Sequence, residues 1–128
     1  MSFLDWLKYA EEDLNEAKDA YERKKYRYAC FFAQQSAEKF LKAFLVKNKK
    51  PFRKTHNVLF LLELCKEVDE SFKELEQYDL EMLTAFASIT RYPEFRIDID
   101  ENDAKEAIEI AEKIRNFVLK KLKFEEVE

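Results

Sequence analysis

Glycine is absent from this 128-residue chain, histidine occurs once, and proline and cysteine occur twice each. Without glycine, tight hairpin turns that need a positive φ, and loops that cradle phosphate through bare backbone, lack the residue that builds them. One histidine, no C-x-x-C and two isolated cysteines, Cys30 and Cys65, leave no ligand set for a structural zinc site, so no metal and no cofactor are expected. Both thiols stand in apolar stretches and read as buried, reduced groups of a cytoplasmic protein rather than as a disulfide. No run approaches the length of a membrane span, and the first residues (Met1 to Trp6) carry no basic-then-apolar leader pattern; no membrane partner is expected. The net charge of −4 supplies no general attraction for nucleic acid, so any such contact must come from a local basic patch.

What the chain does contain is core material under a charged skin. Hydrophobic residues make up 47% and charged residues 39%, with twelve Phe, six Tyr and one Trp, far more aromatic surface than a disordered chain carries. The length suits one core and is short for two, so residues 1–128 are read as one domain. The fold that needs glycine least is all-α: an antiparallel, up-and-down bundle of about five helices.

Apolar spacing supports that choice. Phe3, Leu7, Ala10, Leu14, Ala17 and Tyr21 mark one face of a first helix, closed by the basic stretch Arg23 to Lys25. A second helix is predicted from about Tyr26 to Asn48, with Cys30, Ala33, Ala37, Phe40, Leu41 and Phe44 on its core face. Gln35, Glu38, Lys39 and Lys42 line the opposite side, with Tyr28 and Phe31 at its N-terminal end. Pro51 and the cluster Lys47, Lys49, Lys50, Arg53, Lys54 form a basic connection. Thr55 is the expected cap of a third helix, His56 to about Val68, apolar nearly all round and therefore expected to be central. Ser71 and Glu74 read as the capping box of a fourth helix, which Pro93 ends by disfavouring helical geometry at Tyr92. Residues 94–99 read as an extended loop, and Asp100 caps a fifth helix carrying Ala104, Ala107, Ile108, Ala111, Ile114, Val118 and Leu122 inward. Phe60, Leu64 and Phe86 exceed what such a bundle easily hides, which predicts a two-fold dimer.

Several motifs carry a family resemblance. Trp6, Ala10, Asp13, Leu14 and Ala17, the Gln34-Gln35-Ser36-Ala37-Glu38-Lys39 stretch of helix two, His56, the Arg91-Tyr92-Pro93 triplet and the Ala-rich last helix fall in the order that the HEPN family shows. The chain resembles that family over nearly its whole length. The resemblance implies a small helical domain, commonly dimeric, often encoded beside a separate minimal nucleotidyltransferase in toxin-antitoxin type systems, and linked to nucleotide binding or to metal-independent RNA cleavage. The nuclease branch places a His after an Arg at the end of the fourth helix, with four to six residues between them. Arg91 matches that Arg, but Arg96, Ile97 and Asp98 occupy the His positions.

Two readings follow for each candidate site. Gln35, Glu38, Lys39 and Lys42 are either a solvated helix face or, with Tyr28 and Phe31 to stack a base and Arg91 to neutralise phosphate, a nucleotide site. The Lys47 to Lys54 cluster is a solvated loop after a helix C-terminus, or a phosphate contact. His56 is a structural hydrogen-bonding residue, or the acid/base of a non-standard nuclease site with Arg91. The leading expectation is a nucleotide- or RNA-binding module that works with a nucleotidyltransferase-like partner; the alternatives are a metal-independent ribonuclease and a ligand-free interaction bundle.

Overall fold

A computed structural model describes residues 1–89 and 98–123. Among the described residues five α-helices and one 3₁₀ helix follow in order, and there is no strand. Helix α1 (Phe3–Glu22) and helix α2 (Tyr26–Lys47) pack along their lengths as an antiparallel pair. Helix α3 (Val58–Val68) is followed by the 3₁₀ helix (Glu70–Gln77), helix α4 (Leu80–Ile89) and helix α5 (Glu101–Lys121).

Local chemistry explains most of the boundaries. Ser2 caps α1 in a reciprocal box with Asp5, and Asp100 does the same for α5 with Asp103. Three helix ends need a left-handed residue, and with no glycine available lysine takes the position: Lys24 (φ 61°) after α1, Lys49 (φ 56°) after α2 and Lys123 (φ 64°) after α5. At the first two, the amides of Lys25 and Lys50 reach back to the carbonyls of Ala20 and Leu45.

Three expectations are corrected. The cap of α3 is Asn57, whose side chain accepts from the Phe60 amide; Thr55 instead accepts from the Asn57 amide, two residues too early to start the helix. Ser71 caps nothing: Asp69 accepts from both its amide and its hydroxyl. The expected fourth helix is two elements. Phe72 and Leu75 lie three residues apart, on one edge of a three-per-turn helix, and both are buried. Tyr78 is extended, and Asp79 accepts from the Met82 amide at the start of α4, drawing the backbone out of a continuous helix.

The central helix is α2, not α3. Every other α-helix packs against it, and its buried residues run round its circumference, from Cys30, Phe40 and Leu41 to Gln34, Glu38 and Lys42. Helix α3 buries Val58, Leu61, Leu62 and Cys65 and leaves Leu59 and Val68 exposed. Phe60 and Leu64 are half-buried, whereas Phe86, expected to be exposed, is buried. No helix among the described residues is long and apolar enough to cross a membrane.

Candidate functional site

Because α2 is enclosed, its polar row faces protein rather than water. Gln34, Gln35, Glu38 and Lys42 are all buried, which corrects the expectation of an open stripe. Their spacing of four, from 34 to 38 to 42, stacks them on one helical edge. Gln35 donates to the Gln34 carbonyl oxygen at 2.6 Å, and Gln34 Nε2 lies 3.2 Å from Glu38 Oε1. Lys42 Nζ donates to Glu38 Oε2 at 2.8 Å. The Lys42 ammonium also lies 5.3 Å from the centre of the Trp6 ring and 5.8 Å from that of Phe52, two rings that meet edge to face. A buried ion pair survives desolvation only when such bonds complete it.

His56 joins this network from the α2–α3 connection. Its Nδ1 lies 3.0 Å from Glu38 Oε1, and its backbone carbonyl accepts from Gln34 Nε2 at 3.0 Å. A carboxylate shared with an ammonium is an acceptor, so of the two tautomers of a neutral imidazole this contact fits the one with the proton on Nδ1 and the lone pair on Nε2. The Glu38 side chain is 3% exposed and that of His56 48%, so the ring is anchored through Nδ1 to a buried group while about half of its surface meets solvent. The residue is clamped twice, through ring and backbone.

The remaining candidates separate from this group. Lys39 is committed to Asp13 at 2.5 Å, a tie between α1 and α2 in which burial raises the Asp13 carboxyl above its usual range despite the ammonium beside it. Tyr28 is half-exposed, with the Arg27 guanidinium 4.6 Å from its ring. It borders a groove of about 290 Å³ with Glu16, Asp19, Arg23, Lys25 and Phe32. Phe31 is half-buried, edge to face with Phe32 at 5.4 Å. Tyr28 precedes Glu38 by ten residues, about 15 Å along a helix, so the aromatic end and the His56 end do not grip one base between them. Arg91, with Tyr92, Pro93 and Glu94, lies outside the described residues. The structure thus brings together Gln35, Glu38, Lys42 and His56, and sets Tyr28, Phe31 and Lys39 apart.

The basic connection lies beside His56 in the chain. Lys50 pairs with Glu67 at 2.6 Å, the Arg53 guanidinium lies 3.8 Å above the Phe60 ring, and Lys47 stands 4.9 Å from the Phe3 ring centre. Among the described residues Lys47, Lys49, Arg53 and Lys54 have no carboxylate partner. No group of three or more His, Cys, Asp or Glu among the described residues is arranged to hold a metal ion.

Reading the sequence alone missed Gln34, Asp13, Trp6 and Phe52 as members of these clusters. The four-residue interval between Gln34, Glu38 and Lys42 was the available signal for Gln34; the ring pair around Lys42 comes from separate segments and left none.

The HEPN domain model matches residues 3–122. The chain belongs to the HEPN family. No curated protein matches it. Among solved structures, TT1696 from Thermus thermophilus is similar at 28% identity with a TM-score of 0.78, covering 93% of this chain and 97% of that one. ST0689, an archaeal HEPN homologue, is similar at 28% identity with a TM-score of 0.73, covering 94% and 98%. This HEPN domain therefore keeps the family's helical frame over almost its full length, and the clamp on His56 is set into the helix around which that frame is built.

Proposed function

We propose that this HEPN domain binds RNA or a nucleotide through the surface formed by His56 and the basic α2–α3 connection. The observation that carries the reading is a fixed, half-exposed imidazole that follows Arg53 and Lys54 in the chain; these two, like Lys47 and Lys49 at the start of the same connection, are cations without carboxylate partners among the described residues. Such cations neutralise phosphate, and the imidazole edge supplies a directed polar contact. The role first expected for Lys42 and Lys39 passes to these loop residues, because both ammonium groups are already committed. Arg91 is retained as a further phosphate contact on the strength of its motif.

The test is fluorescence anisotropy with a short single-stranded RNA. Arg53→Ala with Lys54→Ala should remove most of the affinity, and wild-type protein that shows no salt-sensitive binding refutes the reading. The partner is proposed to be a separate minimal nucleotidyltransferase in a toxin-antitoxin type pair within the cytoplasm, following the family association; co-purification with the product of an adjacent reading frame checks this. A homodimer is proposed because α3 leaves Leu59 and Val68 exposed beside half-buried Phe60 and Leu64. A monomer mass by light scattering at micromolar concentration would remove it.

One observation favours a second reading, metal-independent RNA cleavage. Glu38 orients His56 as a buried carboxylate orients the imidazole of a general base. Cleavage needs a matched acid as well, and the position after Arg91 that would hold a second histidine does not. RNA cut in the presence of a chelator, with activity lost in His56→Ala, would establish this reading over simple binding.

A further inference from the structure

The Glu38 carboxylate does not depend on His56 for its own partners. Lys42 Nζ already holds Oε2, and Gln34 reaches Oε1. The beneficiary of the contact is the histidine: its Nδ1 is held by the buried carboxylate while about half of the side chain stays exposed, and Gln34 holds the backbone at the same residue. An imidazole with one nitrogen fixed as a donor to a carboxylate offers the other as a directed nucleophile, and the carboxylate stabilises the cation that forms when it reacts.

We propose that His56 is a phosphoryl-acceptor site, modified at Nε2 by a small acyl phosphate, and that the modification switches off the anion-binding surface beside it. The Nε2 lone pair attacks phosphorus; the N–P bond forms as the bond from phosphorus to the acyl oxygen breaks, and the carboxylate leaves with that electron pair. The ring, still carrying its Nδ1 proton, becomes a phosphorylated imidazolium facing Glu38, and release of that proton to solvent leaves it neutral. Nothing is oxidised or reduced. Arg53 and Lys54, three and two residues before His56, suit the incoming dianion. Once attached, a group bearing nearly two negative charges occupies the cations that RNA would otherwise neutralise. The switch rests on the anion-binding reading; the transfer itself does not.

The chain has a single histidine, so a phosphohistidine can have only one address. The full chain is incubated with acetyl phosphate and followed by intact mass and phosphorus NMR, beside an unstructured peptide of residues 50–60. The folded chain should gain one phosphoryl group, at a rate about tenfold or more above the peptide, the size of effect an orienting partner has on the group it holds. His56→Asn should gain none, and Glu38→Gln should fall to the rate of the peptide. Equal rates for folded chain and peptide, no transfer to the folded chain, or a label on lysine overturns the site, and the peptide comparison stands even where Glu38→Gln fails to fold. For the switch, phosphorylated protein should lose RNA affinity tenfold or more. Unchanged affinity overturns the switch alone, whereas absent affinity in the unmodified chain overturns the binding reading and leaves the acceptor site standing.

Discussion

At the scale of single residues, the buried polar row of α2 divides into groups that maintain the fold and one group that meets solvent. Removing either half of the Glu38–Lys42 pair leaves an unpaired charge in a site a few per cent exposed. Glu38→Ala or Lys42→Ala should therefore cost about 3–5 kcal/mol, and Glu38→Gln combined with Lys42→Met much less than their sum, as read by urea denaturation. The cysteines give a second test. Burial pushes the Cys30 thiol up to about 12 and raises Cys65 further. Raised folded values mean that the unfolded chain releases these protons first, near the ordinary thiol value of 9.0. Their contribution to stability is complete below that pH and is lost progressively above it, between 9.0 and about 12 for Cys30. A thiol reagent at pH 8 should accordingly find neither cysteine in native protein and both in denaturant. Both were readable from sequence as buried thiols, because each sits within an apolar run. The clamp on His56 was not, because its parts lie 18 to 22 residues apart and meet only when the α2–α3 connection folds back.

At the scale of elements, the missing glycines leave a measurable mark. A left-handed conformation costs a residue with a Cβ about 1–2 kcal/mol, and lysines bear it at Lys24 and Lys49. Lys24→Gly should raise stability by up to about 1 kcal/mol, less the added entropy of the unfolded chain, and Lys24→Val should lower it; thermal melts of the pair check the sign. Helix starts were legible where a side chain caps its own helix, as at Asp100, and misread where two candidates compete, as at Thr55 against Asn57 and Ser71 against Asp69. The split between the 3₁₀ helix and α4 escaped the apolar pattern because Phe72 and Leu75 satisfy both helical periods at a spacing of three.

At the scale of the whole molecule, a central α2 explains why its polar residues misled. Charge along a helix signals solvent only when one face is free, and here α1, α3, α4 and α5 all pack against it. The all-α class and the family were legible; the ranking of surfaces was not, since it depends on which helix the others surround. The consequence for binding is quantitative. If Lys47, Lys49, Arg53 and Lys54 all meet phosphate, the logarithm of RNA affinity should fall with the logarithm of salt concentration with a slope of roughly −3, about 0.7 for each cation on a single strand. Lys54→Ala should lower affinity and take about 0.7 off that slope, whatever the sequence of the RNA. Lys39→Ala should behave differently: it breaks the tie to Asp13, lowering the melting temperature while leaving the slope unchanged. A salt slope that responds to Lys39 and ignores Lys54 would place the RNA along α1 and α2 instead of at the His56 loop.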